Sequence, residues 1–165
     1  MFRADEGFPF CELLLQSTHP TIASMWLDQR MTLEEALLQT NRNMIAFDFA
    51  LGSAALLAPT ATLRVLGHDA PSEDAEHLFR RCGPIWLTFA AGHAVAAARG
   101  SQEDWWALAW LRGTELATDI VWSRSPAFSR PGASEGMWLA GAANLAMAVG
   151  FGWLARRRRA LEPAA

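Results

Sequence analysis

Six polar side chains interrupt otherwise apolar runs: Asp48, His93, Arg112, Glu115, Asp119 and Asn144. Carboxylates, an imidazole, a guanidinium and an amide in one buried set can relay protons, line a ligand pocket or hold a cofactor. They can equally satisfy one another across helices and fix helix register. Groups of this kind are expensive to bury in a membrane, so they are expected to face inward and pair.

Arg112, Glu115 and Asp119 fall on one face of a helix, because steps of three and four return to the same side. Glu115 and Asp119 are then like charges one turn apart and call for a partner from elsewhere. Among small neighbours such as Ala90, Ala91, Gly92 and Ala94, His93 can pack against a close helix. The same smooth surface would let a flat macrocycle stack on a His ligand, so axial ligation of haem or chlorophyll is the alternative use.

The runs that carry these residues are long and apolar. Four transmembrane helices are expected at 44–63, 82–98, 105–122 and 136–155, since about 20 residues cross a hydrocarbon core of about 30 Å. Asp48 lies in the first, His93 in the second, Arg112, Glu115 and Asp119 in the third, and Asn144 in the fourth. The last is the strongest: an uncharged 20-mer followed directly by Arg156, Arg157, Arg158 and Arg159. Its glycines and alanines suit tight helix packing, inside the bundle or against another protein. Tryptophans near span ends (Trp86, Trp105, Trp106, Trp122, Trp138, Trp153) match the headgroup level that indoles prefer.

Residues 1–43 read as an extramembrane segment, divided by Pro9 and Pro20. Asp5 and Glu6 occupy the place of a basic signal-peptide region, so membrane insertion is expected from the internal helices. Thr32 and Glu35 form a capping-box pattern that predicts a helix from about Leu33. Ser72 with Glu73, Asp74 and Glu76 marks another start after the polar link 64–81. The expected basic tail is 156–165.

Arginine placement sets orientation. With both termini inside, the cytoplasmic side carries Arg42, Arg99 and the tetra-arginine block, and the other side carries Arg64, Arg80, Arg81, Arg124 and Arg130. The block is expected to anchor topology, with anionic lipid or an acidic partner subunit as its alternative contact. On depth, Asp48, His93 and Arg112 lie roughly 6–10 Å inside that face and form one layer, Asp48 pairing with Arg112. Glu115 and Asn144 fall nearer the midplane, and Asp48 is close enough to the interface to be partly hydrated.

Composition excludes some classes. The formal charge of −3 gives no global basic surface for nucleic acid, all 14 basic residues are arginine, and there is no tyrosine. The mean hydropathy of +0.08 averages a polar first third with strongly apolar later segments. Cys11 and Cys82 fit neither a metal spacing nor a disulfide framework and read as free thiols. No phosphate-binding loop, metal-spaced Cys/His set or nucleophile elbow is present.

Residues 56–99 run Leu-Leu-Ala-Pro, Leu-Arg-Val-Leu-Gly, an acidic link, then Arg-Arg-Cys-Gly. With Leu111 to Asp119, that stretch resembles the DoxX-like and related small four-helix membrane proteins of bacterial inner membranes. The resemblance spans about 44–155 and implies a four-helix bundle; it carries no catalytic residue. The long polar N-terminal segment departs from the family pattern and suggests docking onto something particular. The leading expectation is therefore an all-α integral membrane bundle serving as an accessory subunit of a larger respiratory or photosynthetic complex. The alternative is a small membrane carrier or redox helper built on the polar cluster. A third reading is an enzyme acting on lipid or quinone.

Overall fold

The computed structural model describes residues 31–126 and 131–161, and every regular element among them is helical. Contacts divide the chain into Met1–Thr32 and a second unit, Leu33–Ala165, that carries the helices described below. The expectations for Pro9, Cys11, Pro20, Arg130 and the end of the tail lie outside the described residues.

Helix α1 runs Leu33–Leu57, α2 Pro59–Val65, α3 Glu73–Arg99, α4 Gln102–Trp122 and α5 Ala133–Leu161. At 1.5 Å per residue the four long helices measure roughly 32–43 Å. By length and composition together, one of them, over Ala133–Ala160, is long and apolar enough to cross a membrane.

Three boundaries differ from the sequence expectation. The helix starting at Leu33 continues straight through residue 44, so no joint separates the polar segment from the first apolar run. That run breaks instead at Ala58, whose backbone leaves the helical region (φ −141°, ψ 54°), because Pro59 disfavours helical geometry in the residue before it. Residues 44–63 are thus two helices. At the other end Arg156–Arg159 are helical rather than a tail. Arginine is a good helix former, and cations in the last turn complement the helix dipole.

The caps explain the connections. Ser72 accepts from the Ala75 amide at 3.2 Å, opening α3 where the acidic run begins. Gly100 ends α3 in the left-handed region (φ 62°), and Ser101 at once caps α4. Ser101 and Asp104 form a reciprocal capping box with both bonds at 3.2 Å. A single left-handed residue therefore reverses the chain into an antiparallel pair.

Packing is closest within two pairs, α1 with α3 and α4 with α5; α3 meets α4 less, and α1 meets α5 less still. Gly52 and Gly83 let α1 and α3 cross backbone to backbone: a Cβ on Gly52 would lie 2.8 Å from the Gly83 carbonyl oxygen. Two apolar clusters result. One gathers Leu37, Ala96, Trp105, Leu108, Phe151 and Leu154; the other gathers Ala55, Leu63, Phe79, Trp86 and Phe89.

Candidate functional site: a buried polar network

The buried polar residues are carried on all four long helices, α1, α3, α4 and α5. Asn41, Asp48, His93, Arg112, Asp119 and Asn144 are all buried, and Asp48 and His93 are fully so. Arg112 is the hub. Its Nη2 donates to Asp48 Oδ2, and its Nε donates to His93 Nε2 at 3.1 Å. The guanidinium also lies 5.4 Å from the Phe89 ring centroid. One charged side chain on α4 thereby joins α1 and α3.

Donor logic settles the histidine. A guanidinium only donates, so His93 Nε2 accepts and the ring hydrogen sits on Nδ1. Nδ1 then donates to Asn41 Oδ1 at 2.6 Å, while Asn41 Nδ2 donates to the His93 carbonyl oxygen at 3.0 Å. Both ring nitrogens are engaged and the ring is buried, edge-on to Phe151. In this arrangement His93 offers no nitrogen to a haem or chlorophyll.

The layer expected from depth, Asp48 with Arg112 and His93, is the arrangement found. Two details change. Asp48 is closed off from solvent by neighbouring helices, not partly hydrated. Asn41, a member of the network, lies in the stretch expected to be extramembrane. It was legible: seven residues before Asp48 is two turns along the same helix face.

A second group lies further along α4. Asn144 Nδ2 donates to Asp119 Oδ2 at 2.8 Å. Gly141 helps bring α5 this close, its missing Cβ facing Asp119 and Leu116. Half-buried Glu115 stands between the two groups on α4 and is electrostatically coupled to Asp119, Arg112 and Asp48. Among the described residues no cluster of histidine, cysteine or acidic side chains is arranged to hold a metal ion. Two buried acceptors, Asp48 Oδ1 and Asn144 Oδ1, have no donor among the described residues.

The tetra-arginine block is partly spent within the fold. Arg157 and Arg158 both pair with Glu34 at the start of α1, at 3.2 and 3.1 Å. Arg156 lies over Trp106 and Arg157 over Trp153. Arg156 and Arg159 are exposed. The tryptophans also divide. Trp105, 1% exposed, is a core residue whose indole donates to the Gly100 carbonyl oxygen, and Trp86 is buried beside Phe79. Position near a helix end therefore does not by itself make a boundary residue. Trp106 and Trp138 do face outward. In the link between helices, burial pushes the His68 imidazole below its ordinary pKa, and its ring lies 5.9 Å from Trp122.

The chain matches no family model, no curated protein and no solved structure.

Proposed function

We propose that the chain is a four-span integral membrane protein of the bacterial inner membrane, with both termini cytoplasmic, acting as an accessory subunit of a larger membrane complex. One observation carries the membrane reading: polarity is inverted. The interior holds Asn41, Asp48, His93, Arg112, Asp119 and Asn144, while all four long helices turn large apolar side chains outward. Phe49 on α1, Ile85 on α3, Trp110 on α4 and Leu139 on α5 are 61%, 51%, 74% and 72% exposed. Water-soluble monomers rarely present such surface on every side, whereas hydrocarbon favours it.

The paired network supports the accessory reading over catalysis. Its hydrogen bonds run helix to helix, α4 to α1 and α3, and α5 to α4, which is what register-fixing contacts do. The smooth α5 helix and the apolar outer faces suit neighbouring subunits, with a respiratory or photosynthetic complex as the host class. The DoxX-like likeness of residues 56–99 and 111–119 supports the same architecture and nothing finer. Gentle detergent extraction from native membranes, then size separation, absorption spectroscopy and mass spectrometry, tests the assignment. The expected result is co-migration with a much larger assembly. A lone colourless 18.1 kDa species or a small homo-oligomer would sink the accessory role.

The two acceptors without donors favour a second reading, a small carrier or redox helper. Under it, Glu115→Gln abolishes transport or electron transfer in proteoliposomes while helix content and unfolding midpoint stay within error. Under the accessory reading the same substitution changes only stability or assembly.

A further inference from the structure

The four arginines that close α5 divide into two pairs with different surroundings. Arg157 and Arg158 reach α1, where both pair with Glu34 at 3.2 and 3.1 Å. Arg156 and Arg159 are exposed, and among the described residues neither makes an ion pair. Standing three residues apart, they are neighbours on one face of the helix. The acids nearest this end in sequence do not cancel them. Glu34 holds the other two arginines, Asp104 pairs with Arg99 at 3.3 Å, and exposed Glu103 pairs with neither Arg156 nor Arg159.

Tryptophan fixes the level of this face. The Arg156 guanidinium lies 5.8 Å from the ring centroid of Trp106 on α4, and that ring is 40% exposed. Contact with a ring engages the plane of a guanidinium and leaves its N–H fork for an oxyanion. Indoles settle where hydrocarbon gives way to headgroups. Arg156 and Arg159 stand three and six residues beyond Trp153, roughly 5 and 9 Å further along α5. They therefore reach the headgroup layer, which is about 5–7 Å thick. In the opposite direction the surface is apolar. Trp110, one turn along α4 from Trp106, is 74% exposed, and Val149, two turns before Arg156 on the same face of α5, is 66% exposed.

We propose that Arg156 and Arg159, with Trp106, bind the phosphate of an anionic phospholipid in the cytoplasmic leaflet, its acyl chains lying over Trp110 and Val149. Charge complementarity selects the headgroup: two guanidiniums attract a phosphodiester and repel the ammonium of a zwitterionic lipid. The apolar track distinguishes a lipid from an acidic protein segment, which would have no use for exposed indole and valine one to two turns further in. The proposal rests on the four-span reading and not on the accessory role.

The full chain, purified in detergent, is titrated with phosphatidylglycerol or phosphatidylcholine, and lipid adducts are counted by native mass spectrometry. The expected result is a preferred phosphatidylglycerol adduct. An arginine at an anionic surface is worth about fivefold, so Arg156→Gln with Arg159→Gln weakens that adduct by about thirtyfold. The unfolding midpoint of this variant stays unchanged. Arg157→Gln with Arg158→Gln is the charge-matched control: it lowers the midpoint, because Glu34 loses its partners, and costs the adduct far less. Equal losses in the two variants overturn the proposal, since net charge alone would then explain binding. Equal affinity for the two lipids also overturns it and leaves the pair to an acidic partner. Displacement by an equal concentration of inorganic phosphate overturns it as well, because a free anion would suffice. A chain that stays monodisperse without detergent sinks the four-span reading together with the proposal, whereas the other three failures leave that reading standing.

Discussion

Gly52→Leu is expected to separate α1 from α3 and to be among the most damaging single changes in the molecule. The Cβ alone would sit 2.8 Å from the Gly83 carbonyl oxygen and 3.0 Å from the Leu87 nitrogen. Both are backbone atoms, so no side chain can rotate away and the helices themselves must move. Overpacking of this kind costs about 1–3 kcal/mol for a few added carbons, and a whole leucine at a backbone crossing belongs at or above the upper end. Pro84 beside the crossing already forfeits one helix hydrogen bond, which leaves α3 less able to adapt. Gly141→Ala is the matched control. Its Cβ would meet Asp119 and Leu116 at 3.5 Å, ordinary contact, and alanine brings roughly 1 kcal/mol of helix propensity. Unfolding titrations in mixed detergent should show the first variant strongly destabilised and the second unchanged or improved. Equal effects would remove the crossing from the account of what holds α1 and α3 together.

Arg112→Leu is expected to cost about 3–5 kcal/mol, the range for breaking a buried ion pair from one side. It strands the Asp48 carboxylate, whose other oxygen already has no donor among the described residues, and it leaves His93 Nε2 unpaired. Asp48→Leu should be nearly as harmful, because it leaves the guanidinium with only the imidazole. Combining the two removes both charges and restores an apolar layer, so the double variant should be more stable than the sum of the single losses by more than about 1 kcal/mol. Simple additivity would show that Asp48 and Arg112 do not act on each other, contrary to the geometry. The same cycle reads function as well. A register-fixing pair can be replaced by leucines with assembly and activity retained, whereas replacing a proton-carrying pair leaves the bundle assembled but abolishes transport.

Helix content, the four long runs and the inward placement of Asp48, His93 and Arg112 were legible in one dimension. Apolar stretches of that length, and polar residues repeating at three and four, are properties of the chain itself. Depth counted from the ends of the runs was enough to place the three residues in one layer. Local chemistry also marked Ser72 as a helix start. What failed were judgements about edges and surroundings. The extramembrane reading of residues 1–43 puts Asn41 outside the bundle, yet the helix turns Arg42 and Asn43 outward and Asn41 inward. Trp105 was read as a boundary residue because it opens a helix, while its neighbour Trp106 is the one that faces out.

Sequence alone determined that this protein is helical, that its polar residues must find one another, and that its arginines crowd one end. Tertiary structure alone decided the partners: Arg112 to both Asp48 and His93, Asn144 to Asp119, and Glu34 to Arg157 and Arg158. The reason is physical. Periodicity along a helix reports which face a residue occupies, but a hydrogen bond between helices depends on crossing angle and separation. Those are set by small contacts such as Gly52 against Gly83, between residues that stand far apart in the chain.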